Sequence, residues 1–202
     1  MEFSQYSEPP TSTTPEEGVG FIVRAVAKTL DLILHNLIGV GLGLLVGIGI
    51  GVLTASAGQA VPEVNDEDLT IRLISGVMAT IGFIFYNAIC EAYYGATLGK
   101  LLLGIHVVNR KGEQISFGSA FVRALVFFID QFFFGIVAYL SMKGSALQQR
   151  LGDKWAGTVV VKRSEVQSSE IPSGCMFVLV LLIGLLFDGI LQVLPIVFFM
   201  MS

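Results

Sequence analysis

The sequence predicts an all-α membrane protein with three to four transmembrane segments, including a broken helical hairpin, and a small cytoplasmic two-stranded β element. Three observations predict it. Of the 202 residues, 53% are hydrophobic and only 14% charged, against roughly a quarter charged in a soluble domain, and the mean hydropathy is +0.76. Four apolar stretches, 20–54, 70–98, 117–141 and 174–201, match or exceed the roughly 20 residues that a helix needs to cross a bilayer. Finally, charge is segregated. Glu2, Glu8, Glu16 and Glu17 precede residue 20 with no basic residue among them, whereas nine of the twelve Lys and Arg fall between Lys100 and Arg163. Because that basic region is interleaved with apolar stretches, it signals membrane topology rather than a nucleic-acid surface.

Residues 1–19 read as a disordered N-terminal tail: Pro9, Pro10 and Pro15 stand among Ser, Thr and Glu, too polar to bury a core. The acidic start does not fit a cleavable signal peptide. The first apolar stretch is longer than one crossing, so its Arg24/Lys28 end is expected in the membrane interface. It carries Gly39, Gly43, Gly47 and Gly51, four residues apart, a spacing that lets a second helix approach closely. Residues 55–69 contain Pro62, Glu63, Asp66, Glu67 and Asp68 and no cation, so the positive-inside rule places them outside and the basic segments inside. On that rule the N-terminus is cytoplasmic, and the expected location is the plasma (inner) membrane as a multi-pass protein.

Ile105–Asn109, closed by Arg110-Lys111-Gly112, and Gly157–Lys162 read as strands. Strands so short need partners, which are most simply each other. Were 117–141 a complete span, the two strands would lie on opposite faces. The favoured reading is therefore a hairpin over 117–149 that enters from the cytoplasm, breaks near Gly135 and returns, with a complete third span as the alternative. The membrane domain covers 20–163, a linker 164–173, and an additional transmembrane segment 174–202. Cys90 and Cys175 have no CxxC companion and read as inert thiols.

The residues that point to function are acids embedded in apolar sequence. A carboxylate in hydrocarbon is costly unless it is paired, protonated or facing water. Asp31, Glu91, Asp130 and Asp188 are such acids. Arg24 precedes Asp31 by seven residues, as Arg123 precedes Asp130, which puts each pair on one helix face. Arg24, Lys28, Asp31 and His35 form one stripe; Asn87, Glu91 and Tyr94 form another. No basic residue lies within one turn of Glu91, which makes it the first choice for a group that takes up and releases protons. Asp188, near Gln192, is a secondary candidate, as are His35 and Asn87. A purely structural use of the same charges, snorkelling to headgroups or fixing which helices pack, is the competing reading. The sequence holds no P-loop, HExxH motif or nucleophile elbow, so no enzyme, cofactor or metal is expected.

Gly20–Ala25 with Asp31, the run Glu91 to Val108 (E-x-x-x-G-x-T-x-G-K-x-x-x-G-[IL]-x-V-V), Arg123 with Asp130, and Gln149–Val161 together resemble the RDD family of polytopic membrane proteins, named for an Arg and two Asp. On this resemblance those three residues fall on Arg24, Asp31 and Asp130. The resemblance implies transport, with sodium/proton exchange in some members, and covers residues 20–163. The segment 174–201 departs from the shorter family pattern. The expectation is thus a small-cation/proton exchanger using Asp31, Glu91 and Asp130, with Arg24, Lys28 and Arg123 as counter-charges. Its partners are the lipid bilayer, H+ and a monovalent cation, with homo-oligomers or a membrane-complex partner on the alternative reading as an assembly subunit.

Overall fold

A strand pair tied to both neighbouring backbone segments organises one end of the molecule. The computed structural model describes residues 14–15, 17–60, 69–131 and 135–201. In chain order these form α1 (Phe21–Ser56), α2 (Leu69–Tyr94), α3 (Leu98–Leu102), β1 (Ile105–Asn109), α4 (Phe117–Gln131), α5 (Ile136–Lys143), α6 (Leu151–Ala156), β2 (Thr158–Lys162) and α7 (Gly174–Met201). Two short 3₁₀ turns, Arg163–Glu165 and Ser168–Glu170, lead into α7.

Three helices are long and apolar enough to cross a membrane: Phe21–Ser56, Leu69–Tyr94 and the one within Ser168–Phe199. α1, with 36 residues, spans about 54 Å, well over the roughly 30 Å of a hydrocarbon core. α4 has 15 residues and α5 has 8, too few to cross. They form the expected hairpin, and Gly135 between them adopts φ +79°, a left-handed conformation that a Cβ disfavours. Residues 132–134, where the chain turns, lie outside the described residues.

The two strands pair antiparallel, from Ile105 opposite Lys162 to Asn109 opposite Thr158. The second strand starts one residue later than its sequence pattern indicates, because Gly157 closes α6 at φ +66°. A two-stranded ribbon is marginal alone. Here its outer edges are occupied: the Val107 N–H donates to the Gly95 carbonyl at 2.7 Å and the Val19 N–H to Val160 at 2.7 Å. Val107 and Val160 pack with Val19, Ala27, Ala88, Ala92 and Ile115, while Val108, Val159 and Val161 form a second cluster on Leu147. Val19 is buried, so the packed fold begins before residue 20, which corrects the expectation that all of 1–19 is tail. Residues 1–13 and 16 lie outside the described residues.

These bonds place the start of α1, the end of α2 and both strands at one end of the bundle. Tyr94 stacks 4.6 Å from Phe177, which brings the start of α7 there too. α4 climbs back beside α2, Arg123 meeting Glu91 and Phe127 meeting Phe83, so the two run in opposite senses. α5 returns the chain, and the Lys154 ammonium donates to the Ser141 carbonyl. The basic segments therefore share one end of the bundle, which favours the hairpin over a complete span.

The glycine stripe is used in part. A Cβ on Gly39 would collide with Gln192 of α7, and one on Gly43 would touch Ile196, whereas Gly47 and Gly51 have nothing within 4 Å. Close approaches lie elsewhere too, at Gly82 against Asp188 and Gly189 against Leu42. The expected packing role of Gly47 and Gly51 is thus not realised among the described residues.

Two outcomes follow from this end-sorting. In a Cys175→Ser background, cysteines at Lys111 and Glu165 react from the same side of the membrane and one at Gln59 from the other. Opposite labelling of 111 and 165 would break the hairpin. His106, in β1, is buried with Arg163 and Lys100 nearby, and burial first, then these cations, push its imidazole down to about 4. The unfolded chain takes up that proton near pH 6.5, so stability falls as pH drops through the window from 6.5 to 4, by at most about 3 kcal/mol. Melting curves of His106→Asn should show a shallower pH slope in that window than the wild type.

Candidate functional site

At the end of the bundle that carries the sheet, the charges form one buried network rather than the same-helix pairs their spacing suggests. Asp153 sits at the third position of α6, fully buried. One of its oxygens takes Arg24 Nη2 from α1 and the other takes Arg123 Nη1 from α4. The Arg150 N–H donates to it at 2.9 Å, closing the first turn of α6. Arg123 continues the chain of charges: its Nε donates to Glu91 Oε2 at 2.8 Å and its Nη1 to Thr158 Oγ1 at 2.6 Å. Lys100 of α3 pairs with the other Glu91 oxygen. Arg24 also donates to the Gln148 carbonyl at 3.0 Å. Burial would raise the Asp153 carboxyl, but the Arg123 and Arg24 guanidiniums outweigh it and hold it well below the usual carboxylate range.

Asp31 is separate. It has no exposed surface and no cation in contact; Tyr86 Oη, Thr97 Oγ1 and the Gly99 N–H donate to it at 3.1, 2.6 and 2.8 Å. The close approach needs a glycine, since a Cβ on Gly99 would strike the Ala27 carbonyl. Lys28 bonds Asn87 Oδ1 at 2.7 Å and lies over the rings of Phe83 and Phe127, 4.3 and 4.1 Å from their centroids, a favourable seat for a cation. His35 Nδ1–H donates to Asp188 Oδ2 at 2.8 Å, and Gln192 donates to the His35 carbonyl at 3.3 Å.

Several expectations are overturned. Arg24 is buried on Asp153 and pairs neither with Asp31 nor with headgroups. Lys28 serves Asn87 rather than Asp31. Arg123 holds Glu91 and Asp153, not Asp130. Glu91, read as the isolated acid, is the most heavily paired of the candidates, because its cations arrive from α3 and α4. Secondary candidates His35 and Asp188, by contrast, do meet. Asp153, Lys100, Thr97, Tyr86 and Thr158 escaped the sequence reading. Thr97, Lys100, Asp153 and Thr158 stand inside the segments that carry the family resemblance, but Arg24 and Asp153 are 129 residues apart, beyond any helical spacing.

Asp130 is the exception. It is 3% exposed, makes no ion pair among the described residues, and its Oδ1 lacks a hydrogen-bond partner there. It lines a cavity of about 180 Å³ between the first turns of α1 and the hairpin, together with Phe21, Arg24, Lys28, Leu32, Phe127 and Arg150.

Three crossing helices, a hairpin that does not cross, and a buried charge network under a strand pair define a polytopic membrane protein. The chain belongs to the RDD family, whose model matches residues 19–157. It is 25% identical over 144 residues, 68% of this chain and 91% of the relative, to the uncharacterized protein YxaI of Bacillus subtilis (strain 168). No solved structure matches the chain. α7 lies outside the family match.

The network makes a stability prediction. Asp153→Asn leaves two buried guanidiniums sharing a neutral amide and should cost about 3–5 kcal/mol. Arg24→Ala should cost less, since Asp153 keeps Arg123, and the double variant less than the sum of the two. Because Asp153 titrates low, its contribution is present above about pH 4 and lost as the pH falls below that. Thermal unfolding in detergent tests all three; wild-type melting of Asp153→Asn would show that the network does not hold the fold.

Proposed function

We propose that this RDD protein moves a small cation in exchange for protons, with Asp130 as the carrier group and Lys28 as its counter-charge. The observation that supports this is the contrast among the buried acids. Asp31, Glu91 and Asp153 have their oxygens taken by donors from neighbouring elements, so releasing them would dismantle the fold. Asp130 alone among these four faces open space with an unpartnered oxygen, and an acid kept in that state near hydrocarbon is characteristically functional. The charge distribution favours a cytoplasmic sheet and N-terminus, and the plasma (inner) membrane is the location proposed. Eleven of the twelve Lys and Arg lie at or near the sheet-bearing end, Arg72 being the exception, as the positive-inside rule requires.

A second reading, a non-transporting assembly subunit, draws on the outer half of α1. Leu44, Leu45, Ile48 and Leu53 are exposed there and Gly47 and Gly51 have no neighbour, a surface on which a partner helix or second copy would fit.

Vesicles containing the purified protein, followed for internal pH after sodium, lithium and potassium pulses, separate the two. At least one pulse should move protons faster than in empty vesicles. Asp130→Asn should abolish that flux with little change in melting, whereas Glu91→Gln should lower melting. No proton movement with any cation leaves the assembly reading.

A further inference from the structure

The Asp130 cavity carries more chemistry than a single cation uses. Two buried groups of opposite sign on its wall lack hydrogen-bond partners among the described residues: Asp130 Oδ1 and Arg150 Nε. An unsatisfied buried polar atom costs free energy, more so when charged. The two do not satisfy each other, since the Arg150 ion pair is a long one, 4.0 Å, to Asp153. Of the other cations on the wall, Arg24 is committed to Asp153 and Gln148. Lys28 is held by one hydrogen bond to Asn87 and keeps further N–H donors. The cavity thus offers one carboxylate acceptor, a guanidinium and an ammonium, with Phe21 and Leu32 as apolar wall between them.

A metal ion or a proton serves Asp130 but leaves Arg150 Nε without an acceptor. A plain anion would serve Arg150 and Lys28 and be repelled by Asp130. A molecule holding an ammonium and an anionic group a few bonds apart meets both demands. We propose that the cavity binds an amino zwitterion of the phosphoethanolamine type, its ammonium donating to Asp130 and its phosphate accepting from Arg150 Nε and Lys28. Guanidinium suits phosphate by shape as well as charge. The cavity, about 180 Å³, has room for several waters and for a two-carbon headgroup. The proposal rests on the reading of Asp130 as the cavity's binding carboxylate and adds a second ligand class at that site. Two sources share this chemistry, the free molecule and the headgroup of an ethanolamine phospholipid whose chains lie along the exposed side of α1 at Ile22 and Ile33.

The test uses the full chain in detergent with phosphoethanolamine, inorganic phosphate or ethanolamine at equal concentration. At about ten times Kd, phosphoethanolamine should raise Tm by about 3 °C or more, and neither fragment should reproduce the shift. Nanodiscs of phosphatidylglycerol doped with phosphatidylethanolamine or phosphatidylcholine form the lipid arm. A shift with the ethanolamine lipid but not with the soluble compound assigns the headgroup, and the reverse assigns the free molecule; choline, lacking N–H donors, should be inert in either case. Asp130→Asn and Arg150→Gln should each weaken binding at least about tenfold, the loss of one charge-assisted hydrogen bond, and the wild-type comparisons stand even if a variant fails to fold. Phosphate alone matching phosphoethanolamine, ethanolamine alone matching it, or no shift in either arm overturns the proposal. A zwitterion-specific shift in a protein that moves no protons would retain the binding site and sink cation exchange. Flux that phosphoethanolamine leaves unchanged, with no shift, would do the opposite.

Discussion

Asp153 has no surface in contact with solvent, yet it takes a guanidinium on each oxygen, one from the first helix and one from the hairpin. Arg24 has no other ion pair among the described residues, Arg123 shares its charge between this acid and Glu91, and the acid's own burial would be very costly without them. Because α6 is only six residues long, the acid is placed by what surrounds α6: Gly152 against Arg123 on one side and the strand pair that begins at Thr158 on the other. The sheet, the hairpin and α1 are thereby held to one another through a single side chain. Glu91 extends the same logic to α2 and α3 through Arg123 and Lys100.

This arrangement commits most of the buried acids to holding the fold. Asp31, Glu91 and Asp153 each join elements that are distant in sequence, so a proton or cation displacing their donors would compete with the fold itself. Once these and the His35–Asp188 pair are set aside, the remaining buried acid is Asp130, which lines the cavity beside the hairpin turn together with Lys28 and Arg150. Asp130 differs from these acids in having an oxygen that no donor among the described residues occupies.

The elements were largely legible in the sequence. The apolar stretches near 20–54, 70–98 and 174–201 became α1, α2 and α7 because length and hydropathy suffice to specify a crossing helix. The strand pair and the hairpin were legible by a consistency argument, since two short strands on opposite faces could not have paired. Site partners were not. Helical spacing correctly places Arg24 and Asp31 on one face, but a side chain on that face chooses among all packed elements. Arg24 found Asp153, and Asp31 found Thr97 and Gly99. For Glu91 the local rule misled outright, because the absence of a neighbouring cation along one helix says nothing about cations delivered by two others.

The pairing of His35 with Asp188 has a bearing on how the protein is made. The two residues are 153 positions apart, and Asp188 belongs to α7, which also fills the groove beside Gly39, Gly82 and Tyr86. At a synthesis rate of about 5–20 residues per second, roughly 8–30 s separate their emergence. Through that interval α1, joined by α2 once Tyr94 has been made, holds an imidazole and a glycine-lined groove that α7 does not yet cover. The nascent bundle is therefore an open intermediate, exposed to insertion factors and to other half-made helices, until the last segment arrives to seal it.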